Sequence, residues 1–371
     1  MSVQIRRALR ASTFLLLSML SLVMSLAFVA AEAKSEDEAA KCATAATGKC
    51  INKAKALKLN YIAIGCILVA SMVGVSLPLF TRSVPALHPD KDVFLLVKCF
   101  ASGVIIATGF MHVMPDSWND LTSPCLPETP WRAFPFTPFI SMVSAYLTMM
   151  MDTFAMAFYG KSLSKQGTSI TVTNGADGNG KVDHADLASD QLHGRGHGHI
   201  VQILFGDKET ALLKNRVVAQ VLELGIVVHS VVIGLSMGSS DDFCAIRGLV
   251  AAMCFHQLFE GMGLGGCILQ AEYSLRIKAI MVFFFSVTTP GGIIMGILLQ
   301  SVYEENSPTA LIVVGVLNAV SAGLLIYMAL VDLLAAEFKG SKLQRNMKLQ
   351  LCSYGVALLG TGIMSLMAKW A

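Results

Sequence analysis

Charge is what this chain has least of. Only 14% of its 371 residues are Asp, Glu, Lys or Arg, and stretches of about twenty residues recur with almost none of them. A soluble globular domain carries about 25%, so that class is excluded. The net charge of +3 belongs to the gaps between the apolar runs, and no basic stripe gathers that would suit nucleic acid. Nor is there a Gly-x-x-x-x-Gly-Lys-Ser/Thr pattern, so ATP-driven pumping lacks its phosphate cradle. The short alternating strands of a membrane barrel are missing too.

What fills the space is hydrophobic, at 54% of residues. Runs long enough to cross ~30 Å of hydrocarbon fall at about 58 to 80, 93 to 115, 136 to 160, 217 to 239, 248 to 270, 279 to 302, 309 to 333 and 349 to 370. Backbone polar groups in lipid must be satisfied within their own segment, which makes each run a helix. The expected fold is therefore all-α: a polytopic membrane protein of eight transmembrane helices.

Ahead of the first span, Arg6, Arg7 and Arg10 precede an apolar stretch from Ala11 to Ala31 and the small-residue site Ala31-Glu32-Ala33, the pattern of a secretory signal peptide over residues 1–33. The expected organisation continues with an outward segment over 34–57, spans one to three over 58–160, a loop over 161–216 and spans four to eight over 217–371. Lysine and arginine collect in the gaps after spans one, three, five and seven, so both termini are expected outside and the long loop in the cytosol. In that Gly-, Asp- and Asn-rich loop, His193, His197 and His199 stand on a glycine backbone that lets them gather a metal ion. Cys42 and Cys50 are positioned to close a short outward loop by a disulfide, and Cys125 with Cys244, both in outward gaps, form a second candidate pair. The other five cysteines lie in apolar runs as small buried residues.

The informative polar groups are those that lipid should refuse. Span five reads Phe255-His256-Gln257-Leu258-Phe259-Glu260-Gly261, with His256 and Glu260 astride its midpoint, and span four holds His229 at a matching depth. An ionisable group at the centre of a membrane helix costs ~2.5–3.5 kcal/mol on insertion scales, so Glu260 requires a partner. Residues four apart share a helix face, which lets His256 and Glu260 hold one ion, with His229 a third ligand and water a fourth. The same set would also suit a hydrolase's catalytic zinc, but His-x-x-x-Glu spends the glutamate as a ligand and leaves no general base, as His-Glu-x-x-His would. A sensor reporting occupancy through the cytosolic loop is the other alternative. Gly225, Gly234 and Gly238 on span four and Gly261, Gly263, Gly265 and Gly266 on span five are expected to let those two helices approach each other. His112 and Asp116 at the outward end of span two, and Asp241 and Asp242 beyond span four, suit an entrance. Glu223 and Asp152, nearer the cytosol, suit an exit. Pro290-Gly291-Gly292 is expected to interrupt span six.

These features together resemble the ZIP (Zrt-, Irt-like) metal-ion transporters, in the branch typical of plants and their algal and protist relatives. The likeness rests on the eight spans, the histidine-bearing loop, the stretch from Glu223 through His229 and Ser230 to Gly238, and His256 through Glu260 to Gly261. It covers essentially the whole chain after the signal segment. The resemblance implies a non-enzymatic carrier moving zinc, iron or manganese into the cytosol through a site made by His229, His256 and Glu260. It implies no catalytic cofactor, a plasma or organelle membrane, and spans one to three and six to eight as inverted repeats about the central pair. Homodimers are compatible with it. Two departures count against a second, bridged ion. Some relatives read His-Asn-x-x-Glu in span four and have an acid after the first span-five ligand, whereas this chain has Ser230, Ile233 and Gln257. Ser230 and Gln257 are thus weak auxiliary ligands at most.

Overall fold

The computed structural model describes residues 51–80, 91–167, 207–299 and 307–367, without the side chains of 155, 156, 158–167, 207–211 and 341. Among the described residues the chain is helical, and an isolated bridge between Ile51 and Asp242 is the only β-type pairing. The long helices are α1 (Lys53–Phe80), α2 (Asp92–Leu121), α3 (Phe136–Gly167), α4 (Asp207–Ser239), α5 (Phe243–Gln270), α6 (Leu275–Leu299), α7 (Pro308–Phe338) and α8 (Met347–Met367). Seven of them, all but α3, are apolar enough over their described residues to cross a membrane, and α3 at 32 residues has the length to do so. Their outward faces carry Leu298, Leu358, Phe154 and Tyr61, all well exposed. Such a surface suits acyl chains rather than water.

Local chemistry sets the ends. Asp242 caps α5, its Oδ1 accepting from the backbone N–H groups of Cys244 at 2.9 Å and Ala245 at 3.1 Å. Ser307 caps α7 in the same way through Ala310 N–H, with Pro308 in the first turn, where its missing donor is harmless. The expected interruption of span six does not occur: α6 runs through Pro290, and Gly292 serves close packing instead. Helix also reaches into both ends of the expected long loop, α3 continuing to Gly167 and α4 starting at Asp207. Cys125 and Cys244 are both disulfide-bonded, while Cys66, Cys99, Cys254, Cys267 and Cys352 are free. The signal segment, Cys42, Cys50, His193, His197 and His199 lie outside the described residues.

Glycines decide which helices lie closest. A Cβ on Gly261 would lie 2.8 Å from the backbone nitrogen of Val75, and one on Gly74 or Gly265 would likewise collide with backbone across the α1–α5 seam. On the α4–α6 seam a Cβ on Gly234 would sit 2.6 Å from the Thr289 carbonyl oxygen, and one on Gly292 2.9 Å from that of Val231. Gly103 and Gly360 do the same for α2 and α8, and Gly323 for α7 and α3. The expectation that the span-four and span-five glycines draw those two helices together is therefore corrected. Gly234 and Gly238 face α6, and Gly261 and Gly265 face α1, while Gly225 meets Leu324 of α7 and Gly263 meets Ile105 of α2.

Two groups of four helices result. In one, α1 lies along α5, α4 along α6, and α1 also touches α6; in the other, α2 lies along α8, α3 along α7, and α2 also packs on α7. Exchanging α1 with α6, α2 with α7, α3 with α8 and α4 with α5 leaves this pattern of neighbours unchanged. Between the groups, α4 meets α7 and α2 meets α5 through side chains such as Leu324 and Ile105 rather than through backbone.

Candidate metal centre

His229 on α4 and His256 and Glu260 on α5 are all buried, the last at 0% exposure. Their depth follows from the helices themselves. Helical periodicity stacks His256 over Glu260, with Nε2 of one 3.2 Å from Oε2 of the other, and the α4–α5 contact brings His229 alongside at 5.5 Å between ring centres. Below the cluster Leu222, Ile226, Leu264, Ile268 and Phe285 pack into one continuous apolar core. On its other side Ile67, Met237, Met253 and Ile293 form a second.

A fourth member comes from α2. His112 lies in a π-helical turn, Gly109–Val113, where the backbone widens and re-aims its side chains. Its ring centre is 5.9 Å from that of His229 and 6.0 Å from that of His256. Sequence reading put His112 at the outward tip, but it is buried within the cluster. Its Nε2 stands 4.0 Å from Asp116, beyond hydrogen-bond reach, while the Asp116 side chain is 45% exposed. Three imidazoles sharing one tetrahedral ion, with metal–nitrogen bonds of about 2.1 Å, would have ring centres about 5 Å apart. The observed triangle is within about an ångström of that spacing. Among the described residues no three donors are yet drawn onto one point.

Hydrogen bonding fixes one tautomer. Thr108 is fully buried and donates its hydroxyl to the Val104 carbonyl at 3.0 Å, so its oxygen is left to accept, and its neighbour at 3.3 Å is His256 Nδ1. Nδ1 therefore carries the proton, and Nε2, the nitrogen facing Glu260, is free to offer its lone pair. Two electron-rich atoms at 3.2 Å require a cation or a second proton between them. A self-neutralising His–Glu pair would satisfy that one edge only. Both nitrogens of His229, His112 Nε2 and Glu260 Oε1 would remain buried without hydrogen-bond partners.

Other anticipated residues fall around this centre. Ser230 and Gln257 are buried, and both amide atoms of Gln257 lack a hydrogen-bond partner. Glu223 and Asp152 are half-buried on α4 and α3. Of the outer pair, Asp242 has its Oδ1 engaged in the α5 cap, and the Asp241 carbonyl accepts from Asn52 N–H at 3.1 Å.

An all-helical, multi-pass membrane protein with a buried cluster of imidazole and carboxylate between two helix groups has the features of proteins that handle cations within the bilayer. Residues 57–368 match the family described as ZIP zinc transporter. The chain is 54% identical over 356 residues to zinc transporter 7 of Arabidopsis thaliana, covering 96% of this chain and 97% of that protein. It is 55% identical over 335 residues to probable zinc transporter 8 of the same plant, covering 89% and 91%. Against Fe(2+) transport protein 2 of Oryza sativa subsp. japonica it is 55% identical over 338 residues, covering 89% and 90%. The chain belongs to the ZIP family, in its plant branch, and is a transporter rather than an enzyme.

Proposed function

We propose that the protein carries divalent metal ions, zinc foremost and Fe²⁺ or Mn²⁺ besides, into the cytosol through the buried centre of His229, His256, Glu260 and His112. The observation that carries this reading is the unmet lone pairs of those four side chains, because a dication satisfies all of them at once. Relatives named for zinc and for Fe(2+) support the choice of cargo, as does a nitrogen and oxygen donor set that accepts both ions. The metal is cargo and not a resident cofactor. Asp116, exposed on one side and four residues from His112, is the outer recruiting group; Glu223 and Asp152 lead onward.

The two helix groups support alternating access as the mode of passage. Backbone-to-backbone glycine seams bind α1 to α5 and α4 to α6, so these four move as a body carrying His229, His256 and Glu260. The group of α2, α3, α7 and α8 keeps His112 and Thr108, and the softer side-chain contacts between groups are where sliding is cheap.

Purified protein in proteoliposomes tests the function directly. Saturable uptake of radiolabelled zinc, iron or manganese is expected, and liposomes that take up none of the three end the proposal. In the same assay Thr108→Val, which keeps shape but removes the acceptor for His256 Nδ1–H, is expected to weaken apparent zinc affinity about 10-fold to 100-fold. Thr108→Ser should stay near the parent. Equal affinities for Val and Ser would mean the hydroxyl does not orient the ring.

A further inference from the structure

Where α1 and α5 of one helix group meet α2 of the other, a cavity of about 270 Å³ opens in the flank of the bundle. Its walls include Leu77 and Pro78 of α1, Val97 and Phe100 of α2, and Phe259 and Met262 of α5. It extends from the end where α2 begins and α5 stops, marked by Phe94 and Gly266, towards the metal centre. There the rings of Phe100 and Phe259, 4.8 Å apart, bound it, and Phe259 immediately precedes Glu260. Lys98 brings no charge to the walls. Its ammonium is spent on Glu337 and on Gln270 Oε1 at 3.1 Å, so only the methylene stem faces the space. An apolar cavity of about 150 Å³ already takes up a benzene-sized hydrocarbon. This one is larger, and its rim carries exposed Leu77 on the surface that meets acyl chains.

The same end carries charge for a headgroup. The gaps after spans one, three, five and seven, where lysine and arginine collect, all fall here, and basic residues at a membrane surface attract anionic lipid. Lys91 is exposed at the start of α2, one turn before Phe94, while the neighbouring Asp92 is taken by Lys342 at 2.8 Å. We propose that the cavity binds one anionic phospholipid, with an acyl chain lodged between α2 and the α1–α5 pair and the phosphate held at Lys91, and that this chain restrains the helix groups from sliding. The walls belong to both groups, so relative movement reshapes the space. An occupant that fits one arrangement favours it by the difference in its affinity for the two. The lodging is independent of the transport reading above, and the restraint rests on it.

Native mass spectrometry of the full chain, delipidated in mild detergent and titrated with phosphatidylglycerol, reads the site. One molecule is expected to bind more tightly than those that follow. Gly266→Leu sends a side chain into the cavity, since a Cβ there meets only Lys98 Cγ at 3.8 Å, and should weaken that first binding about 10-fold or more. Val97→Phe should do the same from α2. Gly65→Leu, on α1 where a Cβ meets nothing within 4 Å, should bind like the parent. Lys91→Gln should cost about 5-fold for phosphatidylglycerol and nothing for phosphatidylcholine. Unweakened binding in Gly266→Leu, or in Val97→Phe should the first not accumulate, overturns the site; full phosphatidylglycerol affinity in Lys91→Gln overturns the headgroup contact. Zinc uptake into phosphatidylcholine proteoliposomes reads the restraint. Added phosphatidylglycerol is expected to lower the parent's maximal rate about 5-fold or more and to leave that of Gly266→Leu unchanged; an equal response of the two overturns it. Failure of the transport reading shows separately, as a parent that binds the lipid yet carries no zinc in either membrane.

Discussion

Glu260→Gln should all but abolish metal uptake. The substitution keeps size and shape within a site at 0% exposure, so any loss is electrostatic rather than steric. A carboxylate gives the dication a full opposite charge where water cannot screen it, whereas an amide oxygen gives only a dipole. Removing one partner of a buried charge pair costs about 3–5 kcal/mol, which corresponds to a loss of roughly 150-fold to 5,000-fold in the uptake rate at low zinc. His229→Ala should fall in the same range, since it deletes a ligand and leaves His256 and His112 facing a gap. Uptake by all three proteins at equal rates for every ion would show that the charge at residue 260 is irrelevant to passage. Loss in Glu260→Gln with unchanged thermal stability in detergent is the expected pairing.

The second large effect lies at two adjacent glycines. Gly292→Val should prevent accumulation of folded protein, because its Cβ would sit 2.9 Å from the Val231 carbonyl oxygen and 3.1 Å from the Cα of Gly234. Overpacking that flexible side chains can absorb costs about 1–3 kcal/mol; here the obstacle is backbone, and the whole α4–α6 seam must open. A Cβ on Gly291 meets nothing within 4 Å, so Gly291→Val should be nearly neutral. Yield and melting temperature in detergent distinguish the pair. Comparable behaviour of the two variants would mean that the seam is not held by close backbone approach.

Sequence made the central pair legible because an α-helix forces residues 256 and 260 onto one face, and because a glutamate amid Phe259 and Gly261 has no business in lipid unpartnered. The same reasoning was available for Asp332, which is buried in α7 between Val331 and Leu333 in a span just as apolar, yet a single carboxylate without a neighbouring histidine gave no pattern to catch. His112 was misplaced for a structural reason. Pro115 and Asp116 look like a helix end, but Pro115 falls in the first turn of the α-helical segment following the π turn, where its missing N–H costs little, and the helix goes on to Leu121. At 1.5 Å per residue that leaves His112 roughly two-thirds of the way along α2 rather than at its tip. π turns have no composition of their own, so this register was not readable. Nor was the partner of each glycine stripe, since small residues announce a close approach without naming which helix comes near.

A bundle that keeps its neighbours when its halves trade places has a thermodynamic character. Under the alternating access proposed above, its two end conformations would be built from corresponding seams, so neither would lie strongly downhill of the other and a small bias would tip the balance. On that proposal such a machine would store no push of its own. It would behave as a near-level rocker whose net traffic follows the concentrations on either side, and steep reversal of those concentrations should drive cargo back the way it came.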